Sequence, residues 1–465
     1  MFDYFYCLYY NIYKYNRRWW RAVKTKFNYT QIIAFGFLGI ILLGTLLLCL
    51  PISVKDGIDI TFLDAMFVAT SATCVTGLVV VDTYTTWSTF GQLVILCLIQ
   101  IGGLGFMTLI TMVFTFMKRK IGLRERKLLM QSAGTIRLSG IVKLIRRIVA
   151  GTFIFELLGA ILIAVSLYSE LGLGRSIYYG VFHSVSAFCN AGFDLFGSKS
   201  VFSSLTYFTD NYLLNITVMF LIVTGGLGFI VWEDIYNHRF KFSKYSLHSK
   251  ILLTFTLILI FCGAAAFFVF EYTHSLKGLP FGEKILASFF QSITPRTAGF
   301  NTVNLTSMSP GGKFLMMLLM FIGGGSGSTA GGIKVTTFAV LVLTVISAAR
   351  RNDNITAFKR RLSDDALKQA ASIILVYGFM IIVSFFLMDL FENFTAGDMM
   401  FELISAVGTV GVTMGITPML GTVSKIVVMI LMFSGRIGGL TFMLLLAEKK
   451  VNVKLERPIE KIIIG

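Results

Sequence analysis

Runs of apolar residues with little or no charge alternate with shorter, more polar stretches along this chain. Each run is as long as the roughly 17–25 residues that a helix needs to cross the hydrocarbon core of a bilayer. Five runs carry no charged residue, two carry one each, and the longest carries Lys334 within a glycine-rich stretch. In chain order the runs are 32–50, 91–117, 148–169, 211–232, 251–270, 314–349, 369–388 and 426–447. The pattern predicts an all-α polytopic membrane protein with eight transmembrane helices.

Between alternate runs lies a second kind of apolar stretch, shorter and broken by Gly and Thr. These stretches cover residues 65–81, about 176–193, about 285–300 and about 399–417. None is long enough to cross the bilayer and return, but each could enter and leave on one side. Irregular backbone is tolerated at membrane depth only where it is buried in protein or lines a wet cavity. The order of stretches therefore predicts re-entrant loops around a pore.

The four short stretches repeat one another. They read SATCVTGLV, SAFCNAGF, SITPRTAGF and SAVGTVGVT, with aligned glycines at Gly77, Gly192, Gly299 and Gly411. A serine precedes the glycine by six residues in three stretches and by seven in the third, where it is Ser292. The pentapeptide GGLGF occurs twice, at 102–106 and 225–229, and related glycine-rich stretches begin at 323 and 435. We therefore predict four units related by pseudo-fourfold symmetry. Each unit consists of a first helix (M1), a pore helix, a filter loop and a second helix (M2).

Basic residues decide the orientation. Of the 41 Lys and Arg residues, 31 lie in five segments that must share one face, whereas the opposite loops carry six. Cytoplasmic loops carry the excess of Lys and Arg, so both termini are predicted to be cytoplasmic in a multi-pass protein of the cell membrane. The predicted segments are a cytoplasmic aromatic and basic N-terminal segment 1–30, repeat 1 at 31–117, a basic linker 118–147, repeat 2 at 148–232, a linker 233–250, repeat 3 at 251–349 with an intramembrane loop 323–332, a linker 350–368, repeat 4 at 369–447 and a cytoplasmic tail 448–465.

Composition excludes several other classes. Only 14% of the residues are charged and 55% are hydrophobic, whereas a soluble domain carries about a quarter charged residues. The net charge of +17 is concentrated in the short segments between spans, so we predict no nucleic-acid partner. The six cysteines show no paired spacing and support neither a disulfide framework nor a zinc site. No organic cofactor is predicted.

Aligned glycine loops suit a cation pore. A dehydrated monovalent cation needs oxygen ligands to replace its water shell, and backbone carbonyls supply them without a trapping negative charge. Turning several carbonyls toward one axis requires backbone angles that glycine adopts freely. A short helix before each loop would also direct its negative dipole end toward the ion. The competing interpretation is that these glycines only allow helices to pack closely. Packing alone does not require a short polar helix before each glycine, whereas a filter does.

At this point the residues resemble a known family. The four loops, GGLGF, the SGSTAGG stretch at 326–332 and SGRIGG at 434–439 resemble the Trk/Ktr/HKT superfamily of potassium transporters, most closely the membrane subunits of bacterial Ktr uptake systems. The resemblance covers the chain from about 30 to 448. It implies K⁺ uptake through a selectivity filter of backbone carbonyls, and glycine rather than serine at Gly77 supports K⁺ over Na⁺. The candidate filter residues are Thr73, Cys74, Val75, Thr76, Gly77, Asn190, Ala191, Gly192, Thr297, Ala298, Gly299, Thr409, Val410 and Gly411.

Two features beneath the filter are candidates for a gate. One is the stretch Gly323, Gly324, Gly325, Ser326, Gly327, Ser328, Thr329, Ala330, Gly331 and Gly332. Each glycine disfavours helix by about 1 kcal/mol, so irregular backbone is expected there, either as a gate or as a kink without a gating role. The other is Arg436, which the resemblance makes a barrier in the pore; alternatively it neutralises a carboxylate such as Glu156. Arg296, in the third loop, is expected to brace the filter from behind.

The resemblance implies several further properties: stimulation by Na⁺, a homodimer, and a cytosolic ring of nucleotide-binding RCK subunits. Linkers 118–147 and 349–368 are the natural docking surfaces for such a ring, although contacts with anionic lipids explain their charge equally well. The competing class is an intramembrane serine protease, because residues 324–327 fit a GxSG pattern. A nucleophilic serine needs a base, and only His183 lies near the membrane interior. We therefore predict a transporter and not an enzyme.

Overall fold

The computed structural model describes residues 29–105, 141–239, 241–352, 354–439 and 441–442. Apart from two strands of two residues each, the regular elements of these residues are helices. The helices are α1 Tyr29–Leu48, α2 Phe62–Cys74, α3 Thr83–Thr86, α4 Thr89–Leu104, α5 Ile141–Phe188, α6 Tyr212–Gly226, α7 Phe229–His238, α8 Leu247–Glu271, α9 Phe281–Ile293, α10 Pro310–Phe321, α11 Val335–Ala349, α12 Asp364–Asp389, α13 Ala396–Gly408 and α14 Thr422–Ile437. Single 3₁₀ turns occupy Pro51–Ser53, Phe196–Ser198, Thr206–Phe208, Phe242–Lys244, Leu305–Ser307 and Thr417–Met419. The strands β1 Thr356–Ala357 and β2 Arg360–Arg361 form a small antiparallel hairpin in the predicted linker 350–368.

Four helices of the described ranges are long and apolar enough to cross a membrane. The qualifying stretches are Gln31–Leu48, Val142–Phe188, Leu247–Glu271 and Asp365–Asp389. Each corresponds to the predicted first helix of a unit, although Val142–Phe188 also includes the short helix of the second unit. That helix, α5, changes direction at Gly172, whose φ of 70° and ψ of 172° are not helical. The segment of α5 after Gly172 is called the second limb below.

In units one, two and four, the second helix ends or bends at a glycine within the described residues. Helix α4 ends at Leu104 before Gly105, and α14 ends at Ile437 before Gly438; both glycines have positive φ, 81° and 97°. Helices α6 and α7 are bent by 95° around Leu227 and Gly228. The runs 91–117, 211–232 and 426–447, each predicted as one span, therefore each contain a break in the helix. A left-handed glycine after the last helical residue is a common helix terminus, and apolar composition does not reveal it.

The short helices α2, α9, α13 and the second limb of α5 form the interior of the protein. In α13 every residue from Met399 to Gly408 is buried except Met400, and in α2 every residue from Phe67 to Cys74 is buried. The four long helices instead carry many exposed large apolar side chains, including Leu43 and Leu46 on α1, Leu157 on α5 and Phe379 on α12. Exposed apolar surface on this scale is typical of a protein that faces lipid.

Two ion pairs connect neighbouring units at one end of the bundle. Lys313 Nζ on α10 lies 3.5 Å from Asp398 Oδ1 on α13, and Lys425 Nζ on α14 lies 2.7 Å from Asp64 Oδ1 on α2. Both aspartates lie in the first turn of a short helix that is capped by a threonine hydroxyl. The second helix of unit three is thus tied to the short helix of unit four, and that of unit four to unit one.

Candidate ion pathway

Each short helix is followed by a loop with the same unusual backbone. Two residues before each aligned glycine, a residue with a side chain has positive φ: Val75 (57°), Asn190 (60°), Thr297 (78°) and Thr409 (51°). The glycines follow with φ of 94° at Gly77, 70° at Gly192, 86° at Gly299 and 93° at Gly411. Such angles are costly for residues with a Cβ and persist where surrounding contacts enforce them. All four loops therefore share one conformation despite their different sequences.

The four loops meet in a closed ring. A Cβ added to Gly77 would lie 2.5 Å from the carbonyl oxygen of Ala191 in the second loop. The same contact joins the second loop to the third, the third to the fourth and the fourth back to the first. These contacts are Gly192 with Ala298 O at 2.7 Å, Gly299 with Val410 O at 2.7 Å, and Gly411 with Thr76 O at 2.1 Å. Residues 75–77, 190–192, 297–299 and 409–411 are called the loop ring below. The ring brings the four predicted filter glycines together.

Hydroxyl groups at the ends of the short helices hold the loops in shape. Ser71 Oγ and Ser405 Oγ each accept a hydrogen bond of 3.1 Å from the backbone N–H of Gly77 and Gly411. Ser186 Oγ donates to Phe193 O at 2.8 Å, one residue past Gly192. The corresponding bond in the third loop comes from Thr294, which donates to Phe300 O.

The sequence alignment of the third loop is therefore wrong in one respect. Ser292, which was aligned with the other three serines, donates to Ile260 O of α8 at 2.8 Å instead. Its hydroxyl ties α9 to the long helix behind it, and Thr294 takes the supporting position. The sequence does show a second hydroxyl at Thr294, two residues further along. Spacing alone could not decide which of the two hydroxyls supports the loop.

Close packing against the second helices explains the repeated glycine motifs. The first glycine of each GGLGF motif faces the carbonyl oxygen four residues before a ring glycine. An added Cβ at Gly102 would lie 2.1 Å from Thr73 O, and one at Gly225 would lie 1.9 Å from Phe188 O. Gly435 repeats the contact with Val407 O at 2.2 Å. These motif glycines are packing residues, and they bring the second helices directly against the short helices.

The environment of the loop ring favours a cation. The short helices end at Cys74, Phe188, Ile293 and Gly408, one to four residues before the ring, so four negative dipole ends of up to about half a charge converge there. Among the described residues, the buried hydroxyl oxygens of Thr73, Thr76 and Thr409 have no hydrogen-bond partner. Buried hydroxyls are normally paired, so these three beside the ring are exceptions.

One side of the ring opens into a cavity of about 200 Å³, called the outer mouth below. Its walls include all four ring glycines and residues that follow them in each loop. Asp82 and Asp194 are the charged side chains in the described lining. The carboxylate of Asp82 accepts hydrogen bonds from Thr85 N at 2.8 Å and from Phe202 N at 3.0 Å. Asp194 accepts from Phe196 N at 2.9 Å.

Asp194 makes the outer mouth sensitive to pH. Burial, and secondarily the charge of Asp82, raise the pKa of Asp194 from 3.8 to about 7. The carboxyl is mostly protonated below pH 7 and mostly charged above it, so the mouth gains a negative charge as the pH rises. We expect half-saturation of cation flux at lower cation concentration at pH 8 than at pH 6, by roughly twofold to fivefold for one charge in wet surroundings. Flux measured against cation concentration at both pH values tests this.

The matched variant is Asp194→Asn, which keeps the shape and cannot ionise. It should behave at both pH values as the unsubstituted protein does at pH 6. A pH dependence that survives the substitution would assign the effect to another group.

Beneath the ring, the glycine-rich loop 323–332 connects α10 to α11 without helical structure. It is bonded to the bend between α6 and α7. Gly325 N donates to Gly226 O at 2.7 Å, Thr329 N donates to Gly225 O at 3.3 Å, and Phe229 N donates to Gly327 O at 2.8 Å. The broken ends of the second unit thus supply partners for backbone groups that would otherwise be unpaired at membrane depth.

The loop also touches the ring directly. A Cβ at Gly331 would lie 2.0 Å from Thr409 Oγ1, and one at Gly332 would lie 2.8 Å from Gly408 O. On its other side Thr329 Oγ1 donates to Phe188 O at 3.2 Å. The loop therefore fills the space immediately below the ring, and glycine is needed where it passes closest.

Two cations hold this loop in place. The Arg436 guanidinium donates to Thr329 O in the loop and to Gly102 O and Gly103 O at the end of α4, the last at 3.1 Å. Lys334 Nζ donates to Ala330 O at 2.7 Å and Gly331 O at 2.9 Å. Lys334 had no predicted role, although a lone lysine in the run 314–349 was the available signal.

Arg436 does not neutralise Glu156, which was the alternative role predicted for it. Glu156 is instead bonded to Gln100 Nε2 at 3.2 Å. Within the described ranges, Arg436 and Glu156 form no ion pair. Arg296 lies behind the ring, as expected, with Nη2 3.3 Å from Thr256 Oγ1 on α8.

The described residues do not bring a base to Ser326. Its Oγ lies 2.9 Å from Thr336 Oγ1. Both nitrogens of His183 are used elsewhere, with Nδ1 2.7 Å from Tyr179 O and Nε2 accepting from Leu195 N at 3.2 Å. His183 thus supports the outer loop that follows Gly192. Glu402 does the same after Gly411, accepting from Thr413 Oγ1 at 2.7 Å and from Thr417 Oγ1.

Comparisons with known proteins identify similar chains over nearly the whole length. The TrkH family, described as cation transport protein, matches residues 7–455. The "Ktr system potassium uptake protein B" of Bacillus subtilis (strain 168) is 39% identical over 425 residues, covering 91% of this chain and 94% of the relative. The "Potassium/sodium uptake protein NtpJ" of Enterococcus hirae is 39% identical over 454 residues, covering 96% of this chain and 99% of the relative.

A third relative and a solved structure agree with these. The "Ktr system potassium uptake protein B" of Vibrio alginolyticus is 37% identical over 445 residues, covering 95% of this chain and 96% of the relative. The crystal structure of the potassium transporter TrkH from Vibrio parahaemolyticus matches with a TM-score of 0.68, over 89% of this chain and 85% of that one. Sequence identity to that structure is 20%, so this match concerns the fold.

Proposed function

Because the chain belongs to the TrkH family of cation transport proteins, we propose that it takes up K⁺ across the cell membrane through the loop ring. The observation that carries the proposal is the closed ring of four left-handed glycine loops, in which each glycine contacts a carbonyl oxygen of the next loop. A ring of carbonyls can replace the water shell of a K⁺ ion. Relatives 39% identical to this chain are named as potassium and potassium/sodium uptake proteins.

The residues of the loop ring are proposed to select K⁺. We assign the filter to Thr73–Gly77, 190–192, 297–299 and 409–411, with K⁺ held by backbone oxygens. The converging helix ends stabilise a cation and repel an anion, and no fixed carboxylate lies in the ring to trap the ion. Glycine at all four positions supports K⁺ as the preferred ion.

Eight spans in four units, with both termini cytoplasmic, are the proposed topology. Four described helices are long enough to cross, or five if the bent pair α6 and α7 is counted as one span. The other three spans are proposed from the hydrophobic runs 91–117, 314–349 and 426–447. The distribution of Lys and Arg places the broken ends on the cytoplasmic side. The outer mouth then faces outside, where Asp82 and Asp194 attract cations.

Gating is assigned to the glycine-rich loop 323–332 together with Arg436. The loop fills the path below the ring, and Arg436 ties it to the end of α4. Conduction requires the loop to move aside or the arginine to turn away. Replacement of the loop glycines by alanine would create the overlaps described above.

Regulation and assembly are proposed from the relatives. Two relatives are named as protein B of a Ktr system, which supports a second component, proposed here as a cytosolic ring of nucleotide-binding RCK subunits. A homodimer of the membrane chain and stimulation by Na⁺ complete the proposal. The segments 118–147 and 349–368 are the proposed docking surfaces.

Ion flux into proteoliposomes tests the function. We expect K⁺-dependent uptake of a tracer cation that exceeds Na⁺-dependent uptake. A Ser326→Ala variant should retain flux within about fivefold, since its hydroxyl pairs with Thr336 Oγ1 and losing one such pair costs about 1 kcal/mol. Loss of flux in Ser326→Ala together with cleavage of a membrane peptide by the unsubstituted chain would favour the protease instead. Flux measured with and without Na⁺ then decides the role of that ion.

A further inference from the structure

A groove of about 460 Å³ lies beside the bend between α6 and α7. Its walls are the first turns of α5, from Leu144 to Phe155, and the residues Thr224 to Tyr236 of α6 and α7. Leu144, Ile148 and Phe229 are buried at its floor. The volume is within the range of about 300–1,000 Å³ that is typical of pockets for small organic ligands.

The groove has an apolar lining and opens toward the surrounding lipid. Ile154 and Tyr236 on its edges are 58% and 68% exposed, and α5 continues beyond it with exposed Leu157 and Leu158. Trp232 forms the inner wall, where its ring packs on Phe155 with centroids 5.1 Å apart. Its indole N–H donates to Thr224 O at 3.1 Å, so the ring is fixed. A slot of this kind fits a hydrocarbon chain.

One end of the groove carries positive charge. Arg147 lines it, with its guanidinium 4.6 Å from the centroid of the Tyr236 ring. Lys143 and the exposed Arg146 precede it on the same helix. Within the described part of the chain, none of these three cations is paired with a carboxylate. Glu233 also lines the groove, so the net charge of this end is positive.

We propose that the groove binds one anionic phospholipid of the inner leaflet, of the phosphatidylglycerol class. One acyl chain occupies the slot between Ile154 and Trp232, and the phosphate lies against Arg147 and Arg146. Two features argue for this occupant: the slot is open to lipid along an apolar edge, and its basic end lies on the face proposed above to be cytoplasmic. A basic cluster beside a membrane helix is the arrangement that attracts anionic headgroups.

The same groove adjoins the gating loop, which gives the lipid a consequence for flux; this part rests on the proposed function. Leu227 lines the groove, and its carbonyl oxygen lies 2.6 Å from where a Cβ of Gly325 would be. Gly226, the preceding residue, bonds Gly325 directly. An acyl chain packed under the bend stabilises the partners of the loop, so flux should depend on the anionic lipid.

Fluorescence of Trp232 tests the binding directly. Phospholipids brominated on the acyl chain quench a nearby indole, and the difference between the native chain and a Trp232→Phe variant isolates this residue. We expect brominated phosphatidylglycerol to quench Trp232 saturably and more strongly than brominated phosphatidylcholine. A basic residue near an anionic headgroup contributes about fivefold in affinity, so Arg147→Gln should weaken the preference by about that factor.

A groove-filling variant provides the second test. Ala150→Phe should abolish saturable quenching, whereas Ala265→Phe, the same change at an exposed alanine of α8, should leave it intact. Equal quenching by both lipids, quenching that Ala150→Phe does not alter, or the absence of quenching would overturn the proposal. Binding is read without ion flux, so its failure is distinct from failure of the proposed transport.

Discussion

Replacing Gly411 by serine is expected to lower K⁺ flux by more than tenfold and to reduce the preference for K⁺ over Na⁺. The added Cβ would lie 2.1 Å from Thr76 O and 2.9 Å from the Cα of Gly77, so the first and fourth loops must separate. Positive φ at a residue with a side chain adds about 1–3 kcal/mol of strain, which lowers stability but does not by itself alter the ring. Separation of two loops removes part of the carbonyl ring and widens it, which admits hydrated or smaller ions. Tracer flux in proteoliposomes with K⁺ and Na⁺ as competitors measures both effects.

Gly415 supplies a matched control four residues away. Its φ is 90°, close to the 93° of Gly411, but an added Cβ would meet nothing within 4 Å. Gly415→Ser therefore introduces the same backbone strain without disturbing the ring. Flux and selectivity should be nearly unchanged in this variant. Equal losses in both variants would mean that strain or misfolding, and not the ring contact, explains the effect.

Replacing Arg436 by alanine is expected to raise K⁺ flux by roughly tenfold to a hundredfold. A positive charge about 6 Å from a K⁺ ion opposes it by about 3 kcal/mol at an effective dielectric constant of 20. The substitution also removes the hydrogen bonds that tie the glycine-rich loop to α4, through Thr329, Gly102 and Gly103. Both changes lower the barrier beneath the ring. Initial rates of flux at matched protein density provide the measurement.

Arg436→Lys separates the two causes. Lysine keeps the charge, but it lacks the planar fork that reaches three carbonyls at once. Flux close to that of the unsubstituted protein would assign the barrier to charge, and flux close to that of Arg436→Ala would assign it to the tether. Flux in Arg436→Ala below that of the unsubstituted chain, with the protein correctly assembled, would contradict the gating role.

The family, the largely helical fold and the transport class could be predicted from the sequence. The resemblance to potassium transporters is confirmed by the TrkH match over residues 7–455 and by relatives up to 39% identical. Transport rather than enzymatic activity agrees with how those relatives are named. The prediction depended on glycines at equivalent places, and a positive φ or a close contact is a local demand that only glycine meets without strain.

The ends of the second helices could not be predicted, because the hydropathy of a segment does not show where a helix ends or changes direction. Gly105, Gly228 and Gly438 lie inside uniformly apolar runs, yet each ends or bends a helix, so the break predicted only for the third unit recurs in all four. The glycine of a GGLGF motif at position 102 or 225 is a packing residue, whereas the one at 105 or 228 ends a helix. Only the packing of neighbouring units distinguishes the two.

Roles that depend on contacts between units were also missed. Lys334 bonds loop carbonyls, and Thr294 replaces Ser292 as the support of the third loop. Both depend on where a side chain points in three dimensions. The meeting of the four glycine loops, by contrast, could be predicted because four copies of one loop constrain one another; that they form the filter stays a prediction.

The most direct test of the central claim is to locate the ion. A crystal of the protein grown with Rb⁺ or Tl⁺ in place of K⁺ gives an anomalous signal at each bound cation. The account predicts a peak on the axis of the loop ring, between the carbonyl oxygens of Thr76, Ala191, Ala298 and Val410, and loss of that peak in Gly411→Ser but not in Gly415→Ser. Anomalous peaks found only outside the loop ring, with none on its axis, would contradict the assignment of the ring as the ion pathway.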